Sequence, residues 1–430
     1  MSRKTLRVFE HQTLRVGEPV PGASGVPVEL TQRELDALAR FNDAHQGQYF
    51  HLGYRRITFR HFVGFVQVGD LGIEILPKAD RGAAKADQAL RWRGALLEML
   101  RVATGLRLYS PTDSSQTLAR SRLLDLIVTR FLEEVERLLH EGLAKGYRTE
   151  EANGSRFRGR LLVAENLREN LVRADRFYVR FTEYDRDTLP NRILGAALEV
   201  LDELPLGTSL AARVTRARAL FPPLTPLRVT SELFERLRPA RSTARYHDAL
   251  LFARMILEQQ VPELRAGATP VFALLFDMNM LWERYIAVLF RRACPAGLEV
   301  STQESRRFWK TPEVPAKTVR PDVVLRRPGQ PGAVLVADTK WQVLDGPTPS
   351  DSDLQQMFVY NELFACPRAV LLYPRSLGGA GGHSGRYVER AHACETRELG
   401  LFDERGISTL SVVAEIKELL EAAIALGSAA

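Results

Sequence analysis

Arg320-Pro321-Asp322-Val323-Val324-Leu325, then Arg326-Arg327-Pro328-Gly329-Gln330-Pro331-Gly332, then Ala333-Val334-Leu335-Val336-Ala337-Asp338-Thr339-Lys340 is the stretch that decides the fold. Two apolar, β-branched runs flank a Pro/Gly segment, which predicts strands over 323–325 and 333–340 paired about Gln330. Asp338 and Lys340 stand two apart on a strand and so share a face. Antiparallel pairing about Gln330 sets Asp322 opposite Asp338. Two carboxylates and an ammonium then meet at one end of a sheet.

That set suits metal-assisted phosphodiester hydrolysis. Mg²⁺ takes oxygen ligands and keeps several waters, so one or two carboxylates plus phosphate oxygens suffice. It offsets charge on the scissile phosphate and lowers the pKa of a bound water. Lys340 is expected to orient or help deprotonate that water and to stabilise charge building on phosphorus. The Thr339 backbone carbonyl, between the two side chains, is a candidate third ligand. A lone Asp-x-Lys triplet is common on solvated strands. Here, however, Asp338 ends the apolar run 333–337, where a charge needs a partner or a metal.

Outward from this site the pattern alternates. A helix is predicted over 277–292, with Leu281, Tyr285, Val288 and Leu289 as its apolar side. Another spans 353–364, where Gln356 and Tyr360 lie one turn apart beside the apolar Leu354, Met357 and Phe358. A strand at 369–373, a Gly-rich loop at 378–385 and a helix at 411–426 complete an α/β domain over 268–430. The region 1–85 reads as strand-rich. Runs at 62–68 and 71–76 flank Gly69-Asp70 as a hairpin, with Leu71, Ile73 and Ile75 on one strand face. The region 86–267 reads as mainly helical; Leu123, Leu126, Ile127, Phe131, Val135, Leu138 and Leu139 form one buried stripe. The expected class is α/β, mixed α+β overall.

Composition bounds the function. Apolar residues make up 45% of 430 and charged residues 26%, with a net charge of +7. A soluble chain that tolerates an anionic partner fits these values. Cys294, Cys366 and Cys394 form no CxxC pair, so neither a disulfide framework nor a zinc site is expected. The first residues lack the apolar core of a signal peptide and no run is long enough to span a membrane, so a cytoplasmic protein is expected. A GxxxxGK[ST] phosphate loop is absent, which argues against nucleotide binding of that kind.

Several motifs in order resemble the McrC family, the nuclease subunit of McrBC modification-dependent restriction systems. They are Phe62-Val63-Gly64 with Ile73-Glu74-Ile75-Leu76-Pro77-Lys78, Phe157-Arg158-Gly159-Arg160-Leu161, Tyr184-Asp185-Arg186-Asp187-Thr188-Leu189-Pro190-Asn191-Arg192, Asp338-Thr339-Lys340, Asp353-Leu354-Gln355-Gln356-Met357 with Tyr360, and Leu371-Leu372-Tyr373-Pro374. The resemblance implies a PD-(D/E)XK nuclease domain with Asp322, Asp338 and Lys340 catalytic and Mg²⁺ as cofactor. Gln356 and Tyr360 resemble the QxxxY element of RecB-like nucleases. Glu283 stands where related nucleases carry an acidic residue near the metal. The implied partners are an McrB-like AAA+ GTPase ring, docked by the front of the chain, and double-stranded DNA carrying modified cytosine. Gln342 departs from the pattern, which often has a basic residue there. Arg156, Arg158 and Arg160 are candidate phosphate contacts. Two other functions fit the residues less well: an adaptor that activates an AAA+ partner without cutting, and a stand-alone nuclease for DNA ends or branches.

Overall fold

Gly69-Asp70 does turn the chain. The computed structural model describes residues 4–22, 26–77, 86–106, 123–204, 206–227, 230, 233–234, 241–258, 271–312, 314–342, 348–375, 382–403 and 406–427. Among these, Lys4–Phe9 (β1), Phe62–Val68 (β2) and Leu71–Leu76 (β3) lie in one sheet, with β3 in the middle. Val68 pairs with Leu71 across the turn. Gly69 there has φ +54°, the left-handed region that glycine enters without a Cβ clash. Every residue of β3 is buried, not only Leu71, Ile73 and Ile75, because the helix Ala86–Thr104 (α1) packs against it. Glu74 is therefore fully buried. Its charge is met by Arg7 at 2.9 Å and Arg93 at 2.9 Å, as a buried carboxylate requires. Lys78, the last residue of that motif, lies outside the described residues.

Backbone contacts group the chain into two compact units. One comprises Met1–Leu108, Arg265–Val271 and Leu275–Ala430; the other comprises Tyr109–Leu264 and Phe272–Leu274. The expected boundaries near 85 and 267 fall outside the described residues.

In the first unit, the helix Met278–Ala293 (α2) starts at Asp277, whose carboxylate accepts from the amides of Asn279 and Met280. The strands Glu299–Thr302 (β4), Arg306–Trp309 (β5), Lys317–Val319 (β6), Val323–Arg326 (β7) and Ala333–Thr339 (β8) follow. Next come the helix Asp351–Leu363 (α3), the strands Arg368–Pro374 (β9), Ser384–Arg386 (β10) and Ala393–Leu399 (β11), and the helix Thr409–Gly427 (α4). Six of these strands form a mixed sheet in the order β4-β7-β8-β9-β11-β10, with β8, β9 and β11 mutually parallel. β8 and β9 are buried almost throughout, as interior parallel strands are. On one face Val324, Val336, Ala369 and Leu371 pack against Met357 and Tyr360 of α3 and Phe364 at its C-terminal cap. α2 and α4 also pack against β8 and against each other.

The second unit has helices Leu123–Glu141, Val163–Asn170, Leu189–Glu203, Thr208–Leu220 and His247–Leu257. The expected stripe from Leu123 to Leu138 is buried, with Leu139 half-buried. Within this region, read as mainly helical, Gly146–Gly154, Arg160–Leu161 and Phe177–Asp185 form an antiparallel sheet. Composition hid it. Its strands carry charges on both faces and bury only Val179 and Phe181. Cross-strand ion pairs such as Arg180–Glu151 (2.6 Å) and Arg148–Asp185 (2.9 Å) supply pairing in place of an apolar face. Gly159 has φ +71°, and a Cβ there would collide with the Arg180 carbonyl.

Candidate active site

β7 and β8 pair antiparallel with Val323 opposite Ala337, Val324 opposite Val336 and Leu325 opposite Leu335. One step further, Asp322 stands opposite Asp338, the placement expected from folding about Gln330. Next to the Pro/Gly turn Arg326 pairs with Ala333, and a register shift between Leu325 and Arg326 restores the pairing that brings Asp322 to Asp338; a one-residue slip would send Asp338 to the other face. The described strand ends at Thr339 rather than Lys340; the Lys340 amide still donates to the Leu372 carbonyl at 2.9 Å, which keeps the residue in line.

Asp322 is held by three donors. The Thr339 amide and hydroxyl both reach its Oδ2 at 2.7 Å, and the Gln303 amide reaches Oδ1 at 3.0 Å. Gln303 also donates to Glu283 at 2.5 Å, so one neutral side chain clips two carboxylates together. Its backbone has φ +57°, a conformation that costs a non-glycine residue roughly 1–2 kcal/mol. Such strain persists where surrounding contacts impose it; here the Gln303 amide also donates to the Asp322 carbonyl at 3.3 Å.

Lys340 is held by a tripod. Its ammonium lies 3.0 Å from Asp338 Oδ2, 3.0 Å from Asp353 Oδ1 and 3.0 Å from Gln356 Oε1. An ammonium has three hydrogens, and each finds an acceptor. Gln356 donates in turn to the Tyr360 hydroxyl at 2.7 Å, and that hydroxyl reaches Asp338 Oδ1 at 3.4 Å. Ser350 caps α3 and bonds the Asp353 carboxylate at 2.7 Å, which fixes the tripod's third leg.

Electrostatics follow from burial. Asp338 is 5% exposed; burial, then the neighbouring Asp322, push its carboxyl up to about 6 against the pull of Lys340. Asp322 is also raised by burial, against the donors from Thr339. Glu283 is raised to about 7, by burial first and Asp322 second. Burial works against the Lys340 charge, but Asp338 and Asp353 outweigh it and hold the ammonium above its usual value. The site therefore concentrates negative charge beyond what its one lysine offsets.

The six named side chains of the sequence reading fall into two bonded groups, Glu283 with Asp322 through Gln303 and Asp338, Lys340, Gln356 and Tyr360 with one another. The groups meet where Thr339, next to Asp338, donates to Asp322. Gln303 and Asp353 were not singled out as site residues. Gln303 stands far from the strand pair in sequence and matches no motif; Asp353 stands in a quoted motif but reads as an ordinary first-turn helix acid. His383 and His392 are not joined to the cluster by any hydrogen bond among the described residues. Arg156, Arg158 and Arg160 are exposed in the second unit, where Arg158 is engaged by Glu183 at 2.7 Å and covers the Phe181 ring. No three His, Cys, Asp or Glu side chains among the described residues close around a common point. The donors present are carboxylate oxygens, the chemistry a hard divalent cation takes while keeping waters of its own. The residues fit such a cation, with water completing its shell.

The sheet end and its charged cluster define a mixed α/β protein with a buried carboxylate–lysine site. The chain belongs to the family of McrBC 5-methylcytosine restriction system components, whose family model matches residues 57–374. Among solved structures it is similar to a Thermococcus gammatolerans chain in a half-complex from a tetradecameric assembly of McrB AAA+ hexamers with bound McrC. That match has a TM-score of 0.67 and 19% identity, covering 97% of this chain and 99% of the other; at that identity the likeness shows the fold. A second Thermococcus gammatolerans structure, of the McrBC complex, gives a TM-score of 0.46 at 20% identity over 68% of this chain and 88% of the other. No curated protein matches the sequence. No helix among the described residues is long and apolar enough to cross a membrane.

Proposed function

We propose that this restriction-system component is its DNA-cutting subunit, a Mg²⁺-dependent endonuclease of the PD-(D/E)XK type. The observation that supports this most directly is Lys340 seated 3.0 Å from Asp338 while Asp322 stands opposite in register. Asp322 and Asp338 would hold the cation. The Thr339 carbonyl shares a strand edge with the amide that meets Asp322 and is the candidate third ligand. Bound there, Mg²⁺ supplies charge neutralisation at the scissile phosphate and an activated water.

The chain's own residues do the rest. Lys340, with its three hydrogens committed to Asp338, Asp353 and Gln356, acts as a fixed positive charge beside the phosphate rather than as a base. Gln356 and Tyr360 hold that charge in place. Glu283 acts on the site through Gln303 and Asp322.

McrC in the Thermococcus gammatolerans assembly is bound to McrB AAA+ hexamers. For this chain we propose an equivalent AAA+ GTPase ring as partner and double-stranded DNA carrying modified cytosine as substrate. The test combines the chain, its partner, GTP, Mg²⁺ and methylated DNA. Cleavage is expected, and Asp338→Ala or EDTA should abolish it while GTPase stimulation survives. Cleavage that persists in the Asp338→Ala protein would overturn the assignment.

A further inference from the structure

β5 and β6 form a two-stranded ribbon that prolongs the β4/β7 pair beyond the site. Thr302 pairs with Val323 in the main sheet. Past Gln303 and Asp322 the same register resumes, with Arg306 opposite Val319 and Arg307 opposite Thr318. The bond from the Gln303 amide to the Asp322 carbonyl closes the ribbon's base. The ribbon is thus rooted on the candidate catalytic carboxylate itself.

Its side chains are unusual for an exposed hairpin. Residues 306–320 hold Arg306, Arg307, Lys310, Lys317 and Arg320 against one acid, Glu313. Arg307, Lys310, Lys317 and Arg320 are exposed, and Arg307, Lys310 and Lys317 make no ion pair with any described carboxylate. Between them stand Phe308, 49% exposed, and Trp309, 48% exposed. The Lys317 ammonium lies over the Trp309 ring at 5.8 Å. Large apolar groups left in water beside unpaired cations mark a contact surface. The major groove admits a two-stranded ribbon, and the cations match its phosphate walls.

We infer that the ribbon of β5 and β6 is an arm that grips duplex DNA on one flank of the scissile phosphate. This rests on the nuclease reading above, since the arm's place matters only if DNA occupies the site at its root. Trp309 lies six residues beyond Gln303, about 20 Å along the arm at ~3.3 Å per residue. That span corresponds to roughly six base pairs at ~3.4 Å each. Arg307, Lys310 and Lys317 neutralise phosphates along it, and Trp309 and Phe308 pack against base edges.

The experiment measures binding of the full chain to a 30-base-pair duplex in EDTA, by anisotropy across a salt series. Replacing Arg307, Lys310 and Lys317 together by Ser should lower the slope of log affinity against log salt by about 2.7, at ~0.9 per lost phosphate contact. Affinity at 0.1 M salt should fall on the order of several-hundredfold, and backbone protection should retreat by about six base pairs on one side of the cut. Trp309→Ala, which leaves every charge in place, should weaken binding about tenfold with an unchanged slope. An unchanged slope and footprint in the triple variant, with circular dichroism like the parent, would overturn the inference. So would a triple variant that binds DNA normally but no longer stimulates the AAA+ partner's GTPase, which would make the arm a protein-docking element. The nuclease reading fails separately, if Asp338→Ala still cuts.

Discussion

Asp338→Asn should make the cation-free protein more stable at neutral pH, because the site is built at the expense of the fold. The unfolded chain ionises this carboxyl near 3.8, whereas in the fold burial and Asp322 raise it to about 6. Between those values the folded protein keeps a proton that the unfolded chain has lost. Stability therefore falls as pH rises through the window from about 4 to about 6, and stays low above it. Each pH unit of that window is worth ~1.4 kcal/mol, so the ionised carboxylate costs roughly 3 kcal/mol at pH 8. Asparagine removes that cost and keeps an oxygen for the Tyr360 hydroxyl, while Lys340 retains Asp353 and Gln356. Urea unfolding in EDTA at pH 4 and pH 8 measures the effect. The two proteins should nearly coincide at pH 4, and the variant should lead at pH 8 by up to about 3 kcal/mol. Mg²⁺ should narrow the lead by stabilising the parent alone. A variant equal to or weaker than the parent at pH 8 in EDTA would refute the reasoning, because Lys340 would then fully compensate the buried charge.

Three other perturbations probe distinct parts of the molecule. Gln303→Leu keeps the bulk but frees Asp322 and Glu283 from their shared donor; free-ion electron paramagnetic resonance should show Mn²⁺ affinity lower by about 10- to 100-fold. Gln303→Gly, which suits the positive φ, should lose the same affinity without loss of melting temperature. Trp341→Phe removes the indole donor to Glu10 (2.8 Å, buried) and should cost about 2 kcal/mol in chemical denaturation. Gly159→Ala forces a Cβ into the Arg180 carbonyl at a left-handed position and should lower the melting temperature by the equivalent of about 1–3 kcal/mol, with no effect on Mn²⁺ binding.

The sequence by itself determined the local geometry. Period-two spacing put Asp338 and Lys340 on one face, the Pro/Gly segment marked the hairpin that brings Asp322 across, and helical spacing aligned Gln356 with Tyr360. These are short-range consequences of backbone periodicity, and a string of residues displays them. The polar three-stranded sheet of 146–185 escaped because ion pairs, not an apolar face, hold its strands. The Gln303 clip, the Asp353 leg under Lys340 and the union of residues 1–108 with 275–430 in one unit were decided only by tertiary structure. In that unit Trp341, next to Lys340, donates to Glu10 and meets the rings of Trp92 and Trp282. Contacts between residues that far apart arise from packing a shared core. Nothing in the spacing of either segment encodes which distant partner will fill it.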